Sequence, residues 1–460
     1  MPELLKTDKN GWETISDTEK QSVFDFCEKY KNFINCAKTE RLAVENVIKI
    51  AEENGFVNIE VKESLKSGDK VYFNNRNKGL YLSVIGKEDI TKGINFVIAH
   101  LDAPRIDIKA NPLYEANDLA LLKTHYYGGL RKYQWITLPL SLIGVVFKKD
   151  GSRVDINIGE NENDPVFYIS DLAPHLAKDQ VQKKMSECIE GENLNIVIGS
   201  MTADSEKDKF KTNVLEILNE KYGITEEDFA SAEIEAVPSF SARDVGLDRS
   251  MIGAYAHDDR VCAYTALMAM CNTQNPAKTI ACVLVDKEEI GSMGNTGMKG
   301  AAFEYATATL IAKTKGEYNE YMKMTLFRNS YCLSGDVTTA FDPNFPEVND
   351  RLNAAYLGHG VNVSKFTGAR GKYDTSDANA EFVSKVRKCF DENNVSWQTS
   401  ELGKVDHGGG GTIAQYVANL DIDVLDCGTP LLSMHAPMEV ASKYDIYMTY
   451  KAYSAFYGLN

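Results

Sequence analysis

The nine cysteines of this chain, at positions 27, 36, 188, 262, 271, 282, 332, 389 and 427, include no CxxC pair. They are scattered and odd in number, and several, Cys282 among them, sit in apolar runs where a free thiol packs as a small core residue. This argues against a disulfide framework or a thiolate zinc site, and a reducing cytoplasm is expected. No stretch approaches the roughly 18 uninterrupted apolar residues of a membrane span. The start, MPELLKTDKNGWETISD, lacks the apolar segment of a secretory leader. Basic clusters and aromatic-basic interleaving are missing too, and the net charge is −16. Neither nucleic acid nor an anionic membrane is an expected partner. There is no fixed-period repeat, low-complexity tract or Walker pattern. Histidine is scarce, seven in 460 residues.

What is present reads as α/β. A chain of 460 residues exceeds what one core usually serves, so two domains are expected. Two amphipathic helical patterns run from Ser16 to Asn54. Strand-like runs follow at Val71–Asn74, Gly79–Ile85 and Ile94–Ala99, the last nearly all apolar, as a central strand should be. From about Lys109 short strand patterns take over (Trp135–Leu138, Leu142–Phe147, Val154–Ile158, Val166–Ile169), then a polar helical stretch, Thr202–Tyr222. Strand-helix alternation returns after residue 240. The expected organisation is one α/β domain made of residues 1–108 and 241–460, interrupted by a β-rich insertion of residues 109–240.

The run Thr279–Val285 reads as a buried strand that breaks off at Asp286-Lys287-Glu288-Glu289, with glycines at 291, 294 and 297. In open α/β sheets ligands sit beyond the strand ends. Neighbouring side chains of an extended segment point oppositely, so one carboxylate of a Glu-Glu pair can hold a metal while the other handles a proton. Other ligand-type residues stand at comparable boundaries: His100 and Asp102, Asp258 and Asp259, Asp336 and His435. Each has an ordinary structural reading, such as a core histidine, a helix cap or a turn. Together, imidazole and carboxylate make a donor set suited to zinc, manganese or cobalt. With one carboxylate shared, such a set could hold two ions about 3.5–4 Å apart around a hydrolytic water.

The longer strings AHLDAPR, HYYGGL, ARDVGLDRSMIGAYAHDDRVCAYTAL, VDKEEIGSMGNTG, SGDVTTAFDP and SMHAPMEVASKYD resemble metallopeptidase family eighteen, the aspartyl aminopeptidases, over nearly the whole chain. The resemblance implies a three-layer α/β/α catalytic domain with a mixed central sheet and an inserted β-rich dimerisation domain. It implies two divalent ions, zinc first and cobalt or manganese as alternatives. His100, Asp258 and Asp336 would hold one ion and Asp258, Glu289 and His435 the other. Glu288 would be the general base, with Asp102 orienting His100. Lys365 resembles a lysine that contacts an acidic substrate side chain, and His175 a histidine that reaches a neighbouring subunit's site. The related di-zinc enzymes imply a cis peptide between Asp258 and Asp259. The expected function is removal of N-terminal residues, acidic ones among them, from peptides by a homo-oligomer, a dodecamer built from dimers. A related carboxypeptidase or N-acyl deacylase, or a non-catalytic binding protein on the same fold, are the alternatives.

Overall fold

In the computed structural model, which describes residue 4 and residues 9–459, the run Ile94–His100 is buried along its whole length. Only a strand covered on both faces has that pattern. It pairs in parallel with Thr279–Val285 on one side and Tyr331–Ser334 on the other. Tyr331–Ser334 pairs in parallel with Asp423–Gly428. These four form the middle of a nine-stranded sheet. Gly79–Val84 extends it antiparallel beyond Thr279–Val285, and Val361–Ser364 is antiparallel beyond Asp423–Gly428, so the sheet is mixed.

Alternation along the central strands divides the core into two layers. Val97, Ala99, Leu333 and Leu425 pack with helices Asp17–Cys36, His257–Asn272 and Lys443–Tyr457. Phe96, Ile98, Cys332 and Val424 pack with helices Ala302–Lys315 and Glu320–Arg328. Each fully buried aliphatic or aromatic side chain contributes about 1.5–3 kcal/mol. Helices on both faces of the sheet give the α/β/α layering. A smaller five-stranded sheet joins Arg243–Val245, Met251–Ala254, Glu439–Ser442, Pro430–Leu432 and Thr338–Thr339.

Packing divides the chain into two units. One comprises Met1–Asp102, Ala242–Met434 and Met438–Asn460, the other Ala103–Ser241 with His435–Pro437. The change of sequence texture near residue 109 therefore lags the break, because Arg105–Ala116 is already a strand of the second unit. That unit is built on a seven-stranded sheet, antiparallel at every pairing. The expected strand Trp135–Leu138 is not one. A 3-10 turn at Lys132–Gln134 leads into it, Thr137 has φ 58°, and Trp135 is buried as an anchor. The helix expected from Thr202 begins only at Lys209. The residues before it are mostly polar, and nothing among them offers an apolar face to pack.

Candidate metal centre

Two of the parallel strands end on one rung, Val285 opposite His100. Ser334 lies opposite Ile98, two residues lower, and Gly335 donates its N–H to the Ile98 carbonyl at 2.6 Å. A Cβ on Gly335 would meet Tyr453 Oη at 2.7 Å, so the turn needs glycine here. The chain thus leaves the sheet at one end through His100-Leu101-Asp102, Asp286 to Glu289, and Gly335-Asp336.

Asp102 is fully buried. Its Oδ1 accepts the Glu288 N–H and its Oδ2 the Glu289 N–H, both at 3.1 Å. One carboxylate therefore fixes the backbone of both glutamates. His100 Nδ1 lies 2.9 Å from the Asp102 main-chain oxygen and 3.3 Å from Asp102 Oδ1. Both are acceptors, so Nδ1 is the nitrogen that donates to Asp102, and Nε2, which faces Asp258, is the one left to ligate a metal. His100 Nε2 lies 3.2 Å from Asp258 Oδ1 and 4.0 Å from Glu288 Oε2.

Asp258 and Asp259 stand at the entrance of helix His257–Asn272 with non-helical backbone angles. The peptide bond between them is cis, as the sequence reading expects. Asp259 turns inward, its Oδ2 accepting the His100 N–H at 3.3 Å. Burial, with the neighbouring Asp258 charge adding to it, pushes the Asp259 carboxyl well up. Asp336 is pushed up as well, by burial first and then by Glu288 and Asp259. So many carboxylates held together need a cation among them to ionise jointly.

Among the described residues, the ligand atoms of His100, Asp258 and Asp336 lie within 4.8 Å of one another, and so do those of His100, Glu288 and Glu289. His435 Nδ1 donates to the Gly129 carbonyl at 3.0 Å, which again leaves Nε2 to ligate a metal. The donors are nitrogen and carboxylate oxygen only, a set that fits a divalent ion of the zinc, cobalt or manganese type.

The structure does not bring Lys365 to these residues. Ser364 is level with Asp426, Ser334 and Ile98, and its strand runs antiparallel to theirs. Lys365 therefore continues towards the opposite end of the sheet. There its Nζ lies 3.8 Å from Asp377 Oδ1, close in sequence to Asn379, which bonds Asp423 at the start of its strand. His175 is exposed on the 3-10 turn Pro174–Leu176 of the second unit. Arg260, which sequence reasoning passed over, is fully buried, and its Nε donates to the Leu101 carbonyl at 2.9 Å. No periodicity marked it, since a buried arginine beside a metal site looks like any charged residue at a helix start.

Among known proteins, a family model described as aminopeptidase I zinc metalloprotease (M18) matches residues 33–457. The chain is 52% identical over 460 residues to a probable M18 family aminopeptidase 1 of Clostridium acetobutylicum, covering 99% of each. A crystal structure of an M18 family aminopeptidase from Thermotoga maritima matches with TM-score 0.96 at 47% identity, over 99% of this chain and 100% of that one. The structure of the S. cerevisiae mApe1 dodecamer shares the fold at TM-score 0.76 and 20% identity, over 94% of this chain and 96% of that one.

Proposed function

Since the chain belongs to the aminopeptidase I zinc metalloprotease family, M18, and is a metal-dependent aminopeptidase, we propose that it works with two divalent ions, zinc first. His100, Asp258 and Asp336 hold one and Asp258, Glu289 and His435 the other, with Asp258 shared. The observation that carries this is the convergence of His100, Asp258 and Asp336 within 4.8 Å of one another, with Glu288 and Glu289 gathered about His100 in the same way. Bound there, the ions would supply Lewis-acid activation of water and of the scissile carbonyl.

The protein's own residues do the rest. Glu288 is the general base: it takes a proton from the attacking water and returns it to the leaving amine. Asp102 serves twice, orienting His100 and fixing the peptide that carries Glu288 and Glu289. The carboxylates around Asp258 suit a substrate's free α-amino group, which is cationic before it binds, and disfavour an acylated or carboxylate terminus.

We place the enzyme in the cytoplasm, where its nine free cysteines would stay reduced. Its assembly is a homo-oligomer of dodecamer type, supported by the likeness to the mApe1 dodecamer. The exposed apolar side chains Val166, Tyr168, Leu172 and Leu176 of the second unit support the same reading. His175 then serves a neighbouring subunit's site. The test is a panel of aminoacyl-p-nitroanilides assayed on metal-free protein with zinc, cobalt or manganese added back, alongside elemental analysis. Two ions per chain and metal-restored cleavage of free-amino substrates are expected. Cleavage of only N-acylated or C-terminal substrates would overturn the proposal.

A further inference from the structure

Asp258 stands in one group of ligand atoms with His100 and Asp336, yet its backbone lies outside the helix that follows it, at φ −76° and ψ 108°. Its N–H has no place in the helical ladder, and it needs an acceptor. The acceptor is a carboxylate: Asp258 N donates to Glu439 Oε2 at 3.0 Å. Glu439 is 1% exposed. It opens the strand Glu439–Ser442, which pairs antiparallel with Met251–Ala254 so that Glu439 stands opposite Ala254. Four residues beyond Ala254 the chain reaches Asp258. The residue just before Asp258 is tied as well, His257 to Tyr30 Oη through Nδ1 at 2.7 Å and to the Ile252 carbonyl through Nε2 at 3.1 Å.

A single N–H at a helix entrance is ordinarily met by a short side chain close by in sequence, serine, threonine, asparagine or aspartate, whereas Glu439 is distant in sequence and buried. A carboxylate buried for that purpose is costly unless charge of opposite sign is near. Beside the peptide of a ligand shared by two ions, that charge is at hand. A charge-assisted bond is also shorter and stronger than a neutral one, which suits a contact that must aim a side chain.

We propose that Glu439 is a positioning residue for the metal centre: by holding the Asp258 peptide it aims the Asp258 carboxylate at both ions, and its charge is matched by theirs. This rests on Asp258 being the shared ligand. The role is that of a partner standing behind the ligands, where substitution commonly costs 10–100-fold in metal affinity or activity.

The test compares zinc affinity of metal-free wild type, Glu439→Ala and Glu439→Gln by competition with a chromophoric chelator, together with thermal unfolding of the same metal-free samples. Glu439→Ala should bind zinc about 10–100-fold more weakly. Glu439→Gln, which keeps an acceptor oxygen, should recover part of that loss. Zinc affinity of Glu439→Ala within twofold of wild type, with only the metal-free unfolding temperature lowered, would reduce Glu439 to a helix cap and overturn the proposal. Should alanine at this buried position fail to fold, Glu439→Asp, shorter by one methylene, carries the same expectation and the same refutation. Glu289→Gln is the control for the ligand set. If it keeps wild-type affinity, the site assignment itself fails; if it loses zinc while the Glu439 variants do not, only the role of Glu439 fails.

Discussion

Glu288 and Glu289 are chemically alike and adjacent, and the proposed assignment gives them opposite work. Glu288→Gln keeps shape and hydrogen bonding but cannot accept a proton, so turnover should fall by about 10²–10⁴ or more with both metals retained. Glu289→Gln should instead lose metal, read by elemental analysis after gel filtration. Near-normal turnover in Glu288→Gln would remove it as the base. At this scale the sequence was informative wherever a ligating residue followed an apolar run, as His100 and Glu288 do. It was silent on Arg260 and on Glu439, whose importance lies in which backbone groups they touch. Lys365 shows where the resemblance of a string says least, since the strand that carries it runs away from the metal residues of its own chain. Lys365→Ala should leave the ratio of kcat/KM for acidic over neutral N-terminal residues unchanged within about twofold. A selective loss with acidic substrates would restore the role that sequence reading gave it.

Among the elements, the central strands were legible because burial on both faces leaves an almost continuous apolar run, and Thr279–Val285 and Ile94–His100 are of that kind. Pairing order and register were not, because they depend on partners far away in sequence. The same long-range logic ties three elements together at Asp244, on the strand Arg243–Val245. Its carboxylate meets Lys31 at 2.8 Å, Lys443 at 2.9 Å and Arg249 at 2.7 Å. Burial alone would raise its pKa, but the three cations hold it well below the usual carboxylate range. A depressed folded-state pKa contributes stability that is present above the unfolded value of about 4 and is lost as pH falls through the folded one. Asp244→Asn should therefore destabilise the protein by about 3 kcal/mol at neutral pH, where it leaves the buried Lys443 ammonium poorly paired. The difference from wild type should shrink below pH 4. Urea unfolding at pH 7, 5 and 3 reads it directly, and a pH-independent difference would show that the cluster does not titrate with folding.

For the whole molecule, composition and cysteine usage bounded the class, and the motif strings narrowed it to a family. The extent of the second unit followed only roughly, since a strand such as Arg105–Ala116 looks the same whichever sheet receives it. Assembly leaves the faintest trace, as exposed apolar residues such as Leu176 are ordinary when taken singly. If His175 serves a neighbour, His175→Ala should lower activity without altering metal content or size-exclusion behaviour. Mixing it with inactive Glu288→Gln subunits should return part of the lost activity, because some sites then draw an intact residue from each chain. No recovery, with exchange of subunits verified by mass spectrometry, would confine His175 to its own subunit or remove it from catalysis.

The two bonds from Asp102 to the amides of Glu288 and Glu289 are made wholly of protein atoms, and so is the bond that sets His100. A change at Asp102 would therefore be felt in three places at once, in the orientation of His100 and in the two peptides that carry Glu288 and Glu289, so its effect should differ from the sum of changes made at those residues singly.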